Sequence, residues 1–424
     1  MLDIKFIREN KDLLQTVAGQ KNIKVDFDAL LNLDDKKKKL NQQIDELRTL
    51  KNQTSKEIPQ MSVKDKEIAL AKMKEVDGAQ EKLENELKPI LEALKDIMLK
   101  VPMYVHKDTP IGIDESENVA IREIGEIRKF DFSIKDHVEL ARDLDIIDIE
   151  RGVKIGGSRS YILKGDGARL EQALLKYAQD FITRKNYILM SVPVIVDRFT
   201  LEGTGYFPGS EDQIYELEKD GKFLVGTSEV ALGAYYANEV LDIQKLPFRM
   251  AGISTCFRRE AGTYGKDTSG VYRVHQFNKV EQFIICEGSA EKSQAMFDEL
   301  VKNVEEFLVS LHLPYRVLNI CTGDMGRGKY QMYDFECWMP SRKSYGETHS
   351  CSNLHDFQAR RLNLRYKDAE GKVNYCHTLN NTMVATPRIL IPLLELNQNA
   401  DGTVTIPEVL RPYMDNQEKI VPRQ

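Results

Sequence analysis

The sequence lacks the features that mark membrane, secreted or disulfide-stabilised proteins. No run of about 18 apolar residues could form a transmembrane helix. The amino terminus, MLDIKFIREN, is charged by its third residue and has no apolar signal-peptide core. Six cysteines are scattered without a Cys-x-x-Cys pair, which argues against a disulfide framework and the usual zinc spacing. We therefore expect a cytoplasmic protein that uses neither a membrane nor zinc.

Two further absences narrow the choice of ligand. The Walker A pattern GxxxxGK(S/T) does not occur, so a P-loop for phosphate is not indicated. The net charge is −6, so any contact with nucleic acid must use a local basic surface. The remaining composition, 42% hydrophobic and 30% charged over 424 residues, is typical of a globular protein long enough for two domains.

Two segments near the amino terminus each carry a single apolar seam. In residues 30–47 and 76–101, apolar side chains recur at steps of three, four or seven, which predicts two coiled-coil helices. Pro59 lies between them and cannot continue a helix, so the helices should form an antiparallel hairpin. Lysines occupy positions 36 to 39. An oligomerisation coil and an arm that grips RNA backbone both fit, and amphipathicity alone does not choose between them.

The chain is organised around residues 249–285, where two strand-like runs flank a polar segment. The first run, Ile253 to Phe257, leads into Arg258-Arg259-Glu260 and then into a loop from Gly262 to Gly270. The second run has Phe277 near its start. Arginine forks match phosphate oxygens, and an aromatic ring offers a flat face to a base. The pattern predicts a site for a phosphate-bearing ligand, with a solvated hairpin tip as the alternative.

Two other polar segments are candidates for ligand binding. Thr227-Ser228-Glu229 follows a strand-like run and precedes a helix. Its hydroxyls could cap that helix, or they could join the carboxylate in holding an ammonium group. Glu347 and Ser350 offer the carboxylate and hydroxyl oxygens that Mg²⁺ accepts alongside nucleotide phosphates. The histidines and the cysteine nearby do not make a zinc site, because no fourth ligand falls at a usual spacing.

The order of these residues resembles a known family. FRRE, a polar loop and YRVHQFNKVEQF are similar to motif 2 of the class II aminoacyl-tRNA synthetases in its seryl form. A long helix, a strand and a proline within residues 137–196 resemble motif 1, the dimer interface of that family. HTLNNTMVATPRIL, at residues 377–390, resembles motif 3. Thr227-Ser228-Glu229 matches the T-x-E element with which seryl-tRNA synthetases contact the amino acid.

Motif 3 departs from the commoner bacterial form, in which a Gly-Ser-Gly run follows the Leu-Asn pair. Here Asn381, Thr382 and Met383 follow Asn380. Thr382 keeps a hydroxyl at the serine position, whereas Met383 is bulkier than glycine. Only 36 residues (424 − 388) follow Arg388, too few for the C-terminal anticodon-binding domain of the threonyl, prolyl and histidyl enzymes. A helical arm without that domain is the seryl arrangement.

The resemblance implies an α+β fold, with a class II antiparallel sheet flanked by helices and an N-terminal antiparallel coiled-coil arm. It divides the chain into a tRNA-binding helical arm at residues 1–108 and a catalytic domain at residues 109–424. The implied activity is ATP-dependent attachment of L-serine to tRNA(Ser) through seryl-adenylate by a homodimer, with tRNA(Sec) left open as a second acceptor. The alternative is a synthetase-like protein that activates an amino acid without charging tRNA.

The resemblance also implies roles for individual residues. Arg258 at the α-phosphate, Arg388 at the γ-phosphate and Glu260 form the catalytic set. Phe277 should stack on the adenine, and Glu347 and Ser350 should hold Mg²⁺, the cofactor expected with ATP. The residues implied to bind ATP are Arg258, Arg259, Glu260, Val274, Phe277, Glu347, Thr348, His349, Ser350 and Arg388. The residues implied to bind serine are Thr227, Ser228, Glu229, Glu281, Asn380 and Thr382.

Overall fold

The computed structural model describes residues 1–262 and 270–422, so most of the loop predicted from Gly262 to Gly270 lies outside the described residues. The chain forms two units: Leu2–Pro102 is one, and Met103–Gln424 together with Met1 is the other. Among the helices of the described residues, none combines the length and the apolar character needed to cross a membrane.

The unit Leu2–Pro102 is helical. Its helices are α1 (Ile4–Glu9), α2 (Lys11–Gln20), α3 (Phe27–Glu57) and α4 (Val63–Met98). A short 3-10 helix, Ile58–Gln60, contains Pro59 and separates α3 from α4. Asp26 caps α3 by accepting a hydrogen bond from a backbone amide of its first turn, and Ser62 caps α4 in the same way.

The long helices α3 and α4 pack as an antiparallel hairpin. Arg48 on α3 pairs with Glu84 on α4 at 3.1 Å, and Lys51 pairs with Asp77 at 2.6 Å. The partner numbers therefore fall as α3 advances. The buried side chains follow the apolar seams: Phe27, Leu30 and Ile44 on α3, and Ala69, Val76, Leu94 and Met98 on α4. The coiled-coil arm predicted from the sequence is confirmed.

The second unit mixes helices with strands. Its helices are α5 (His137–Asp143), α6 (Ile149–Gly156), α7 (Asp166–Thr183), α8 (Arg198–Thr204), α9 (Glu229–Ala234), α10 (Ala290–Ser310), α11 (Phe357–Arg361) and α12 (Leu390–Leu396). Its strands are β1 (Val119–Ile124), β2 (Ile147–Asp148), β3 (Ile162–Leu163), β4 (Ile188–Ser191), β5 (Ile195–Asp197), β6 (Glu216–Leu217), β7 (Lys222–Leu224), β8 (Val240–Asp242), β9 (Phe248–Phe257), β10 (Gln276–Cys286), β11 (Tyr315–Asn319), β12 (Gln331–Met339), β13 (Ser344–Asn353), β14 (Arg365–Lys367), β15 (Val373–Tyr375), β16 (His377–Thr386), β17 (Val404–Thr405) and β18 (Lys419–Ile420).

An eight-stranded sheet forms the centre of this unit. Its strand order is β1-β11-β12-β13-β16-β10-β9-β4, and each neighbouring pair is antiparallel except β4 with β9. The two strand-like runs of the central stretch are β9 and β10, which pair with each other. Smaller sheets are formed by β15-β14-β8, by β5-β7-β6, and by the pairs β2-β3 and β17-β18. The predicted antiparallel sheet with flanking helices is confirmed.

The amphipathic helices α7 and α10 cover one face of the sheet. Their apolar stripes are buried at Leu170, Leu174, Ala178 and Ile182 on α7, and at Phe297, Leu300, Val304 and Phe307 on α10. Because side chains alternate along a strand, Val280 and Ile284 of β10 join this apolar layer. Phe277 and Lys279 of the same strand line a cavity instead. The helices therefore cover one face, and the cavity lies on the other, which also carries the apolar side chains of Phe283 and Ile285.

A β-bulge interrupts the alternation in β13. Phe335 of β12 pairs with His349, whereas Glu336 pairs with Glu347, so Thr348 is an extra residue in β13. An extra residue moves every later side chain to the opposite face of the strand. Residues three positions apart across this bulge therefore share a face, which they would not do on a regular strand.

A second bulge lies in the neighbouring strand β16. Its pairing with β10 shifts between Val280 and Glu281, which leaves Met383 as the extra residue. The imidazole of His349 reaches across from β13, and its Nε2 donates to the carbonyl oxygen of Met383 at 3.2 Å. This hydrogen bond gives the bulged residue a partner for its carbonyl group.

Candidate active site

An open cavity lies on the face of the sheet opposite α7 and α10. The predicted residues among its lining are Arg258, Glu260, Val274, Phe277, Glu347, Thr348, Thr382 and Arg388. They come from the end of β9, from β10 and the segment before it, from β13, and from β16 and the turn after it. The sheet therefore brings together residues that lie far apart in the sequence.

Arg388 is held by Tyr272 and Glu347. Its Nε donates to the carbonyl oxygen of Tyr272 at 3.1 Å. Its Nη1 donates to the carbonyl oxygen of Glu347 at 3.2 Å and to Oε2 of Glu347 at 3.1 Å. Burial disfavours the charge, but Glu347, Tyr272 and Glu260 outweigh it and raise the pKa of Arg388 above its usual value. Nη2 bonds to none of the described residues, so a charged guanidinium keeps one edge for an anionic ligand.

Arg258 and Phe277 contact each other beside this edge of the cavity. The guanidinium carbon of Arg258 is 5.2 Å from the centroid of the Phe277 ring, and Nε donates to the carbonyl oxygen of Gly226 at 3.3 Å. Glu260 has a positive φ of 51°, which is uncommon for a residue with a side chain. Its carboxylate pairs with Arg273 at 3.4 Å. Phe277, Arg258 and Arg273 therefore place an aromatic face and two guanidinium groups within one cavity.

Oxygen ligands suited to a hard cation meet on β12 and β13. Ser350 lies opposite Asp334 in the strand pairing and hydrogen-bonds to its carboxylate. Burial, and then the charge of Glu347, raise the pKa of Asp334. The buried Oδ1 of Asp334 has no hydrogen-bond partner among the described residues. Across residues 1–262 and 270–422, no three His, Cys, Asp or Glu side chains group as a metal site, so a cation here would also need oxygens from a ligand or water.

Two buried carboxylates, Glu229 and Glu281, lie on the same side of the sheet. Nε2 of Gln358 donates to Oε1 of Glu229 at 2.8 Å, and the hydroxyl of Tyr206 donates to Oε2 at 3.0 Å. Lys279, itself buried, forms an ion pair with Glu281. Burial raises the pKa of Glu281, while Lys279 opposes that rise and the charge of Glu229 adds to it. Tyr206 also lines a neighbouring cavity that shares Arg258, Glu260 and Arg273 with the first.

The hydroxyls of Thr227 and Ser228 serve the local backbone. Oγ1 of Thr227 accepts a hydrogen bond from the amide of Glu229 at 3.1 Å. Ser228 is fully buried, and its Oγ donates to the carbonyl oxygen of Gly252 on β9 at 3.3 Å. Although Ser228 immediately precedes α9, its side chain forms no capping bond. The sequence left open whether these hydroxyls cap the helix or bind an ammonium group. Thr227 stabilises the turn before the helix, whereas the hydroxyl of Ser228 forms no capping bond and is buried against β9.

Asn380 and Thr382 share one face of β16. Asn381 between them faces the helices, since its Nδ2 donates to the carbonyl oxygen of Leu300 on α10 at 3.0 Å. Thr382 lines the cavity. The buried Nδ2 of Asn380 has no hydrogen-bond partner within the described part of the chain. An unsatisfied buried donor next to a hydroxyl indicates a position for a small polar ligand.

Three residues of the predicted ATP set do not line the cavity. Arg259 is exposed. His349 is buried against Met383, and burial lowers its pKa to about 3, so the imidazole is neutral at ordinary pH. Ser350 bonds to Asp334 instead. The structure assigns His349 a place in the packing between strands.

Sequence reasoning also missed six residues of the lining: Tyr272, Arg273, Lys279, Ala385, Thr386 and Pro387. Tyr272 and Arg273 are the first two residues of the YRVHQF run that was already singled out. Lys279 lies midway between Phe277 and Glu281, so the period of two along a strand could have placed all three on one face.

Comparisons with known proteins find relatives over the whole chain. Residues 1–105 match the family model described as "Seryl-tRNA synthetase N-terminal domain", and residues 214–397 match "tRNA synthetase class II core domain (G, H, P, S and T)". The chain is 46% identical over 418 residues to the serine–tRNA ligase of Deinococcus radiodurans, which covers 99% of this chain and 98% of that relative.

Solved structures also match the chain over its full length. The seryl-tRNA synthetase from Pyrococcus horikoshii complexed with ATP matches with a TM-score of 0.91 and 37% identity, over 100% of both chains. The cytoplasmic serine–tRNA ligase from Naegleria fowleri in complex with AMP matches with a TM-score of 0.87 and 32% identity, over 100% of this chain and 99% of that one.

Proposed function

The chain belongs to the seryl-tRNA synthetase family, and from this premise we propose how its residues activate serine. It is a serine–tRNA ligase, which uses ATP to attach L-serine to tRNA(Ser). The observation that carries the residue assignment is the cavity in which Arg258, Phe277, Glu347 and Arg388 meet.

ATP occupies this cavity with its base on Phe277. A nucleotide whose base stacks on that ring carries its α-phosphate within reach of Arg258, which already lies over the same ring. Val274 lines the base pocket. Glu260 pairs with Arg273, so it orients this second guanidinium, which joins Arg388 at the β- and γ-phosphates.

Mg²⁺ is the cation that the residues present would fit. Glu347 and Ser350 supply a carboxylate and a hydroxyl, and the unsatisfied Oδ1 of Asp334 supplies a further oxygen nearby. The ion would neutralise phosphate charge and orient the phosphates, while this chain's arginines hold the phosphate oxygens that the ion does not.

Serine binds between β16 and the two buried carboxylates. Glu281 and Glu229 take its ammonium group, with Thr227 shaping the turn that carries Glu229. Asn380 and Thr382 take the hydroxyl, because the amide nitrogen of Asn380 lacks a partner and Thr382 lines the cavity. Lys279 balances the charge of Glu281 before the substrate arrives.

The reaction then needs positioning more than covalent chemistry from the protein. An oxygen of the serine carboxylate bonds to the α-phosphorus, the bond to the bridging oxygen breaks, and pyrophosphate leaves. A hydroxyl of the terminal ribose of tRNA then attacks the seryl carbonyl, and AMP leaves. Arg258 stabilises the charge that develops at the α-phosphate, since a preorganised donor is most effective where charge builds up.

The helical arm and a dimer complete the proposal. Residues 1–108 bind tRNA and residues 109–424 hold the catalytic centre. Dimerisation uses α7 and β4, because β4 lies at the edge of the sheet and exposes Ile188 and Leu189. The cysteines are all free and buried, which supports a reducing, cytoplasmic location. Charging of tRNA(Sec) stays a prediction.

Serine-dependent ATP–pyrophosphate exchange, run beside charging of total tRNA, tests the proposal. We expect both reactions with serine and neither with threonine. Adding a tRNA(Sec) transcript to the charging assay tests the second acceptor. Exchange without charging would support the amino-acid-activating alternative, and no exchange with any amino acid would defeat the residue assignment.

A further inference from the structure

The ring of Tyr272 lies between two guanidinium groups. The guanidinium carbon of Arg388 is 4.4 Å from the ring centroid, and that of Arg342 is 4.1 Å away. Two groups this close to one centroid must take opposite faces, because they would overlap on a single face. A Cβ atom on Gly346 would lie 3.2 Å from Cε2 of Tyr272, so the glycine leaves room for the edge of the ring.

Tyr272 holds Arg388 through groups that a cation does not compete for. The carbonyl oxygen of Tyr272 accepts from Nε of Arg388, and the ring covers the guanidinium plane. The other contacts of Arg388 are with the carbonyl oxygen of Glu347 and with its carboxylate, and the carboxylate is also the proposed ligand for Mg²⁺. When the carboxylate turns to a cation, Arg388 loses that ion pair but keeps its contacts with Tyr272.

We propose that Tyr272 is a positioning residue for the pyrophosphate end of ATP, which keeps Arg388 aligned once Glu347 binds the metal. The inference rests on the proposed roles of Arg388 and Glu347. Arg342 on the far face restricts rotation of the ring. The effect should therefore be confined to ligands that carry the β- and γ-phosphates, and it should not extend to AMP or serine.

The test compares Tyr272→Leu with Tyr272→Phe. Tyr272→Leu removes the ring, whereas Tyr272→Phe keeps it and removes a hydroxyl whose bond to the carbonyl oxygen of Glu347 is long, at 3.4 Å. We expect Tyr272→Leu to raise the KM for pyrophosphate and the Kd of Mg·ATP about 10-fold, the range of one desolvated cation–π contact. The Kd of AMP, the KM for serine and all values for Tyr272→Phe should stay within about 2-fold of the parent protein.

Tyr375→Leu is the matched control, because Arg360 stacks on that ring at 4.5 Å and neither residue lines the cavity. It should leave every binding constant unchanged. If Tyr272→Leu does not fold, Tyr272→Met replaces it, because methionine fills more of the ring's volume. We expect the same weakening of pyrophosphate and Mg·ATP binding in that variant. Equal weakening of AMP and Mg·ATP, or equal effects of the Phe and Leu variants, would overturn the proposal. If the proposed function is wrong, the parent protein itself will show no ATP–pyrophosphate exchange. The affinities for AMP and for Mg·ATP can still be compared between the parent and the Tyr272 variants, so the two failures are distinguishable.

Discussion

Oε2 of Glu347 accepts a hydrogen bond from Nη1 of Arg388 at 3.1 Å, so the anion and the cation proposed to meet Mg·ATP are paired with each other in this structure. In the proposed site, Mg·ATP would replace this pair with two others, metal with Glu347 and phosphate with Arg388. The exchange leaves neither charged side chain without an oppositely charged partner.

Replacing the carboxylate should therefore separate ATP binding from metal binding. In Glu347→Gln, metal-free ATP should bind a few-fold more tightly than in the parent protein, because the phosphates no longer face a carboxylate and Arg388 is released. Exchange should fall by at least about 10-fold and need more Mg²⁺ for half-maximal rate. Calorimetry of ATP with EDTA and with Mg²⁺ measures both affinities. An unchanged metal-free affinity would contradict the proposed exchange of partners.

Removing Arg258 should lower turnover far more than removing its neighbour. Arg258→Ala loses the guanidinium proposed to stabilise developing charge at the α-phosphate, so serine-dependent exchange should fall about 10²-fold or more. The sequence assigned Arg259 to ATP binding, but its side chain is exposed. We therefore expect Arg259→Ala to lower the rate of exchange by less than about 10-fold. Initial rates at saturating serine and ATP make the comparison. Near-normal adenylate formation by Arg258→Ala would remove Arg258 from the catalytic set.

The hydroxyl of Thr382 should help to reject alanine. A site built to bond a substrate hydroxyl disfavours the analogue without it by roughly 10⁴-fold, since buried polar groups are left unpaired. Thr382→Val should erode the preference for serine, measured as the ratio of kcat/KM for serine to that for alanine. Thr183→Val, at an exposed position of α7, is the control and should preserve the ratio. A preference unchanged in Thr382→Val would take Thr382 out of the pocket.

Acid should destabilise the fold through buried neutral histidines. Burial lowers the pKa of His349 and His355 to about 3 and that of His377 to about 4, from an ordinary value of 6.5. Between about pH 4 and 6.5 the unfolded chain binds more protons than the native protein, so the free energy of unfolding falls as the pH falls. Each histidine contributes at most roughly 1.4 kcal/mol per pH unit.

Urea unfolding near neutral pH and near pH 5 measures this dependence. His349→Asn should lose roughly 1–2 kcal/mol less on acidification than the parent protein, because one proton-linked group is gone. His312→Asn, at an exposed residue, should lose as much as the parent. Identical acid sensitivity in all three proteins would mean that His349 already binds a proton in the native state at those pH values.

The family and the architecture could be predicted because they depend on the order of the motifs along the chain and on the period at which apolar residues recur. The apolar seams predict the arm, and FRRE with YRVHQF predicts a strand pair around a ligand site. The face of an individual side chain could not be predicted in β13, since a period of two fails at Thr348. The sequence offered His349 as an ATP ligand, but the extra residue before it directs the imidazole to Met383. Tyr272 was missed because its role depends on Arg342 and Arg388, which the fold brings to it.

The bulge at Thr348 also determines which changes the site can tolerate. Glu347 and Ser350 are three positions apart, a spacing that separates two side chains on a regular strand. Only the extra residue places both side chains on the same face of the sheet. The hydroxyl of Thr348 bonds to the carbonyl oxygen of Phe335, to Sγ of Cys337 and to the ring of His349, so its substitution changes contacts inside the sheet. Deletion of one residue between Glu347 and Ser350 would keep the carboxylate and the hydroxyl on one face only if the bulge were lost with it, because residues two positions apart share a face on a regular strand. Chain length and strand regularity are therefore coupled in this segment: a change of one residue preserves the shared face only when a bulge is gained or lost with it.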